Sequence, residues 1–277
     1  MKLLFFCPRW GCENTSWEDF LTKVKDNGYD GIEYGISNET TSAQLDEVWE
    51  KLDKHQLHVI PQHYGTYDAD FSKHLNRYSA WLELVKPYPA IKIDSQTGKD
   101  FFTFEQNKQL IDVAERHTID CGINVYHETH RNKSLFAAHI TKQYLEKIPS
   151  LQITLDVSHW INVAESFLED QQEALDIAIQ RTEHIHARVG YPEGPQVPDP
   201  RAPEWEDAVA HHLKIWDKII KRKTAADPDS IITITSEFGP YPYMVHLPFN
   251  QSPITNQWDV NLYMKDLLKE RYENNRH

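Results

Sequence analysis

The stretch "ITLDVSHW", Ile153 to Trp160, decides the reading of the fold. With the preceding Gln152, the residues Gln152, Thr154 and Asp156 share one face of an extended chain, while Ile153, Leu155 and Val157 share the other. Three further stretches repeat the pattern. In "NVYHE" the polar set is Asn124, Tyr126 and Glu128; in "HIHAR" it is His184, His186 and Arg188. In "ITITSE" Thr233, Thr235 and Glu237 oppose Ile232 and Ile234. An apolar strand face is suited to packed helices, so the polar face points the other way. Strands built like this fit the wall of a barrel whose polar side chains rise into its mouth, where active sites of that fold sit.

Working outward, apolar β-rich runs recur along the whole chain. They fall at 3–6, 31–34, 58–61, 90–93, 122–128, 151–156, 184–189 and 231–237. Segments with helical spacing lie between them, among them "WEDFLTKVKDNG", closed by Gly28, and "EQNKQLIDVAERH". Eight strand signals alternating with helices in 277 residues predict a closed (β/α)8 TIM barrel, an α/β fold, as one domain over 1–277. No linker or low-complexity tract divides it.

Composition narrows the partners. The formal net charge is -13, from 29 Lys+Arg against 42 Asp+Glu, and no basic block stands out. That argues against a nucleic-acid groove, which gains affinity by displacing phosphate counterions. The opening "MKLLFFCPRW" is interrupted by Cys7, Pro8 and Arg9, so it reads as a first strand and not a secretory leader. No run approaches the roughly 18 apolar residues of a membrane span. Cys7, Cys12 and Cys121 form no CxxC pair, which fits a reduced, cytoplasmic protein.

The last inward residues of the four polar-faced strands are Glu128, Asp156, His186 and Glu237. A barrel sets them around one ring. Three carboxylates crowded at low dielectric repel one another, and a divalent cation removes the conflict. Three oxygens and one imidazole suit Mn²⁺, Mg²⁺, Co²⁺ or Zn²⁺, with coordination positions left for substrate oxygens. Taken singly, each residue has a plainer explanation: Asp156 as a helix cap, Glu237 as a loop acid. Their shared position and parity favour the metal.

The pieces "HETHR" (127–131), "LDVSHW" (155–160), "HIHARVG" (184–190) and "TSEFG" (235–239) resemble, in order and spacing, the sugar phosphate isomerase/epimerase family. These are xylose isomerase-like TIM barrels that include D-tagatose 3-epimerase-like and hydroxypyruvate isomerase-like enzymes. The resemblance implies that Glu128, Asp156, His186 and Glu237 bind one metal ion, and that Glu128 and Glu237 are the two catalytic bases. It implies that His159 and Arg188 reach substrate oxygens and that His63 is a further polar contact. The implied reaction removes a proton α to a carbonyl and passes through a cis-enediolate.

Aromatic residues crowd the loops after the strands, and Trp160 and Trp17 are the favoured walls for a sugar ring. "TGKD" (97–100) lacks a phosphate-loop pattern. The pair His211–His212 reads as surface on an amphipathic helix. The segment 239–257 serves either as a lid over the mouth or as a homo-oligomer interface. The expected partner is a small carbohydrate, without nucleic acid or membrane. Competing activities are a dehydratase sharing the first proton abstraction, an apurinic endonuclease-like hydrolase, and a non-catalytic sugar binder. The hydrolase lacks support at 94–96, where Asp-Ser-Gln stands in place of a histidine.

Overall fold

A computed structural model describes residues 1–273, so the last four positions of the expected 1–277 domain lie outside it. Eight parallel strands close in sequence order: β1 (Lys2–Pro8), β2 (Gly31–Ile36), β3 (His58–His63), β4 (Ile93–Ser95), β5 (Val125–Glu128), β6 (Ile153–Leu155), β7 (Thr182–His186) and β8 (Ile231–Thr235). The ring is sealed by β1 on β8, with Lys2 opposite Ile231 and Phe6 opposite Thr235. This is the (β/α)8 barrel that the alternation predicts. The fourth strand lies later than the expected 90–93, because the ladder to β5 runs over Ile93–Ser95 and that to β3 over Asp94 and Ser95, with Asp94 facing Gln62 on one side and Tyr126 on the other.

Helices α1 (Trp17–Asp26), α2 (Ser42–His55), α3 (Phe71–Val85), α4 (Phe104–Cys121), α5 (Ala138–Lys147), α6 (Val157–Ala164), α7 (Gln172–Arg181), α8 (Glu206–Ala226) and α9 (Gln257–Glu273) follow the strands. Their ends are written locally. Thr103 and Gln106 form a capping box that starts α4, and Gly122 ends it at φ 75°, a left-handed conformation that glycine adopts without a Cβ clash. Gly28, just past α1, takes φ 70° in the same way. No helix among the described residues is long and apolar enough to cross a membrane.

Parity divides the strand side chains as the sequence implies. Leu3, Phe5, Ile32, Val59, Ile153, Leu155, Ile185, Ile232 and Ile234 are buried in the layer between barrel and helices. Inside the barrel Leu4, Phe6 and Ile60 form a small separate apolar plug. The rest of the interior is polar and for the most part paired, although both Asp94 oxygens and Thr154 Oγ1 have no hydrogen-bond partner. His184 meets Thr233 Oγ1 at 2.6 Å and Glu33 at 3.2 Å, and Lys92 donates to the Glu183 carbonyl at 2.8 Å. Such pairing offsets the desolvation of buried polar groups. The plug lies on the β1 and β3 side, with Leu4 and Phe6 in register with Thr233 and Thr235 of the polar set on β8.

Candidate metal centre and substrate cleft

Glu128 ends β5, Asp156 follows β6, His186 ends β7, and Glu237 lies two residues beyond β8. One ligand atom from each can be chosen so that all four lie within 4.8 Å of one another, and all four residues are buried. Both Glu128 oxygens lack a hydrogen-bond partner, and His186 Nδ1 and Glu237 Oε2 have only each other, 2.8 Å apart and without hydrogen-bond geometry. Buried polar atoms are rarely left so, because each unsatisfied group costs about 1–3 kcal/mol. Three carboxylates and an imidazole with orphaned lone pairs fit a divalent cation. Glu237 also sits at φ 55°, a conformation uncommon for any residue but glycine and enriched at functional sites.

The imidazole is oriented from behind. His186 Nε2 lies 3.1 Å from Glu33 Oε1, while Nδ1 faces Glu237 at 2.8 Å and Glu128 at 3.6 Å. A metal-binding histidine usually donates its far N–H to a carboxylate in this way. Glu33 was not among the site residues read from the sequence. Its signal was present in "GIEY", where Gly31, Glu33 and Gly35 share the inward parity of β2.

The charges are strongly coupled. Burial pushes the Glu128 carboxyl up, and repulsion from Glu237 adds to the shift. Burial works the same way on Glu237, yet His186 and then Arg188 hold it below the usual carboxylate range. Burial alone would lower His186, but Glu237 and Glu33 raise it well above the ordinary histidine value. Without a cation, the ring therefore keeps its proton as the positive charge that the carboxylates need.

Asp156 performs two tasks with two oxygens. Oδ1 caps α6 by accepting the Ser158 amide at 3.0 Å, and Oδ2 pairs with Arg188 Nη2. Arg188 Nη2 also donates to His159 Nε2 at 2.8 Å and lies 3.7 Å from Glu237. Tyr243, carried by the 239–257 segment, lies over the guanidinium with its ring centre 4.7 Å away. That segment thus contributes at least one side chain to the mouth.

A cleft of about 680 Å³ opens above the cluster. Glu237, Arg188 and Gln62 line it, as do Trp17 and Lys133. Gln62 donates to Glu237 Oε1 at 3.1 Å. Glu128 lies deeper and is 1 % exposed.

Three expected substrate contacts lie elsewhere. His63 points outward from β3, 2.8 Å from Thr66 Oγ1 and packed against the rings of Tyr78 and Trp81 on α3. Its neighbour Gln62 has the inward parity and is the β3 residue that lines the cleft. Trp160 is fully buried and donates its indole N–H to the Leu135 carbonyl at 2.9 Å, so it belongs to the core and not to a sugar wall. His159 is also fully buried, behind Arg188, and Arg188 is the group that reaches the cleft. The surface assignment of His211–His212 fails for His212, which is buried and accepts the Gly190 amide at 3.1 Å.

No protein-family model matches the sequence, and no curated protein matches it. Solved structures do. A probable 3-DHS dehydratase, AsbF, from Bacillus anthracis aligns over 100% of both chains with TM-score 0.58 at 17% identity. A sugar phosphate isomerase/epimerase from Parabacteroides distasonis aligns over 97% of this chain and 93% of its own, with TM-score 0.58 at 11% identity. An AP endonuclease, family 2, from Brucella melitensis covers 86% of this chain and 93% of its own, with TM-score 0.57 at 10% identity. Three named activities on one scaffold mean that the choice among them rests on the site and not on the fold. What this chain shares with them is the TIM-barrel fold.

Proposed function

We propose that this chain is a divalent-metal-dependent isomerase or epimerase of a small carbohydrate, acting by removal of a proton α to a carbonyl. The observation that carries the reading is the buried set Glu128, Asp156, His186 and Glu237, with its unpartnered lone pairs at the base of the cleft. One ion of Mn²⁺, Mg²⁺, Co²⁺ or Zn²⁺ held there would stabilise the negative charge that builds on the substrate oxygens in the cis-enediolate. Glu237 opens on the cleft and is kept ionised by His186 and Arg188, which suits it to take the proton. Glu128, the second glutamate of the cluster, is the carboxylate that returns it. In an epimerisation the two carboxyl groups serve opposite faces of the carbon.

Arg188 and Gln62 supply N–H donors at the cleft wall, where they hold substrate oxygens in register. His159 acts through Arg188 by accepting one of its N–H groups. The rings of Trp17, Tyr34 and Tyr243 line the same cleft, matching the apolar faces of a sugar. Three free thiols, Cys7, Cys12 and Cys121, suit a cytoplasmic setting.

The test is solvent deuterium exchange at the substrate α-carbon, followed by mass spectrometry across a panel of ketoses and aldoses with Mn²⁺ present. Glu128→Gln and Glu237→Gln should each abolish exchange. Exchange that persists in both variants sinks the two-carboxylate reading. Loss of one water from the substrate would assign the site to a dehydratase instead.

A further inference from the structure

Two ammonium groups at the rim of the cleft are left over by the reaction described above. Lys133, in the loop after β5, lines the cleft and is 2 % exposed; Lys99, in the loop after β4, is 6 % exposed. Among the described residues neither has a carboxylate within 4 Å. Among the described residues their ammonium hydrogen bonds are long and go to neutral oxygens: Lys133 Nζ to the Tyr64 carbonyl and Lys99 Nζ to Asn132 Oδ1, both at 3.3 Å. Both ammonium groups lie near the ring of Tyr67, at 5.1 Å for Lys133 and 5.6 Å for Lys99. Tyr67 and Asn132 line the cleft with Lys133, so Lys99, which does not itself line it, stands directly behind the same end.

The loops are constructed to hold them there. Gly98 takes φ 70°, and a Cβ on it would stand 2.1 Å from Asn107 Oδ1. Asn107 clamps the next residue from both sides, accepting the Lys99 amide at 3.2 Å and donating to the Lys99 carbonyl at 2.9 Å. The Ser134 amide donates to the Thr97 carbonyl at 3.0 Å and so ties the two loops together. Asn132, between them, is also left-handed at φ 66°. The stretch "TGKD", which matches no phosphate loop, thus has a defined purpose: it fixes the backbone from which Lys99 projects.

Burying a cation without a counter-ion is costly, and here two are buried side by side in a chain of net charge -13. Burial, and then Lys99, lower the Lys133 ammonium to about 8, against the pull of the more distant Glu128. An anionic ligand supplies the counter-ion.

We infer that Lys99 and Lys133 form an anion subsite, and that the substrate carries a terminal carboxylate or phosphate that they hold. This rests on the reading of the cleft as the site of a carbohydrate reaction. It places the anionic end at the β4–β5 side of the mouth, away from Arg9 on the β1 side.

The experiment measures binding, which does not depend on turnover. The full chain loaded with Mn²⁺ is titrated calorimetrically with three hydroxyketones: neutral dihydroxyacetone, dihydroxyacetone phosphate, and 5-hydroxy-4-oxopentanoate, which carries a carboxylate. At least one anionic probe should bind about tenfold or more tighter than dihydroxyacetone, the worth of one charge-assisted hydrogen bond. Which anion gains more tells a phosphate source from a carboxylate source. In Lys99→Gln/Lys133→Gln the preference should collapse to within about threefold, with Mn²⁺ affinity and dihydroxyacetone binding kept. The same variant should unfold at an equal or higher temperature, since it removes uncompensated charge. An absent preference in the natural chain, or one that survives in the double variant, overturns the subsite. Deuterium exchange that persists in Glu128→Gln and Glu237→Gln overturns the reaction and leaves this binding contrast as it stands.

Discussion

Metal binding at the four-residue centre should release protons, and their number follows from the charges around His186. In the metal-free chain that ring is raised well above the ordinary histidine value by Glu237 and Glu33, although burial opposes it. Glu128 is raised by burial and by Glu237, and Asp156 by burial against the pull of Arg188. A cation needs all three groups deprotonated. Each of the three that still holds its proton releases it to an arriving ion, so affinity climbs about tenfold per pH unit for every proton released. Above the raised His186 value the curve is flat. The stability linkage has the matching sign. A proton on a group whose folded pKa is raised stabilises the metal-free chain fully below the unfolded value and ceases to do so as pH rises through the folded one. Calorimetric titration of Mn²⁺ from about pH 6 to about pH 8, in buffers of different ionisation enthalpy, counts the protons directly. Glu33→Gln removes the carboxylate 3.1 Å from Nε2, so it should lower the proton count near neutrality and weaken Mn²⁺ by about 10–100-fold. A pH-independent affinity over that range, or a proton count that Glu33→Gln leaves alone, refutes the reasoning.

Three further outcomes follow from the same geometry. Arg188→Met leaves Asp156 and Glu237 without their buried cation and should cost about 3–5 kcal/mol of unfolding free energy in the metal-free chain, measured in urea, with Mn²⁺ recovering part of it. A loss under about 1 kcal/mol would show that the pair is not formed. Trp160→Phe should lose about 1–3 kcal/mol of stability, the cost of orphaning the Leu135 carbonyl, with KM unchanged; a raised KM at full stability would return Trp160 to the substrate wall. His127 and His212 are held at about 4, and His130 at about 3, chiefly by burial. Because these folded values lie below the unfolded one, the stability they contribute is present above about pH 6.5 and is lost as pH falls toward 4. Urea midpoints that stay level from about pH 7 down to about pH 4.5 would contradict this.

How much of this was legible in sequence depended on whether parity was applied strand by strand. For β5 to β8 the alternation is unbroken to the last residue, so Glu128, Asp156, His186 and Glu237 could be placed on one ring without coordinates. At β3 the final residue, His63, looked like a terminal polar group, but the inward positions run Ile60, Gln62, and the ring of His63 goes to Tyr78 and Trp81. The same count on β2 marks Glu33, which escaped notice because a single acid in a four-residue run carries no motif. Helical period gives His212 in the same way, since it shares a stripe with Ala208, Ile215, Trp216 and Ile219. Lys99 and Lys133 were not legible: their pairing depends on two loops tied by a hydrogen bond from the Ser134 amide to the Thr97 carbonyl, and no periodicity encodes that.

Asp156 illustrates why the competing explanations of a residue need not exclude each other. As the N-cap of α6 it accepts the Ser158 amide through Oδ1, the structural task that an aspartate after a strand most often has. The cap fixes the carboxylate plane, and with Oδ1 so engaged, Oδ2 is turned toward Arg188 and the cluster. The helix that the cap starts then places His159 one turn on, where it accepts an Arg188 N–H. Ser158, between them, is close enough to Gly190 that a Cβ there would stand 2.8 Å from its own, so the loop after β7 is drawn in as well. Removing the cap would therefore do more than fray a short helix. It would release Oδ2, Arg188 and His159 together, and a substitution such as Asp156→Ser, which keeps a capping oxygen but not the second one, separates the two tasks. Helix content retained with Mn²⁺ affinity lost is the result expected of it; affinity retained with the helix lost would mean that capping was its only role.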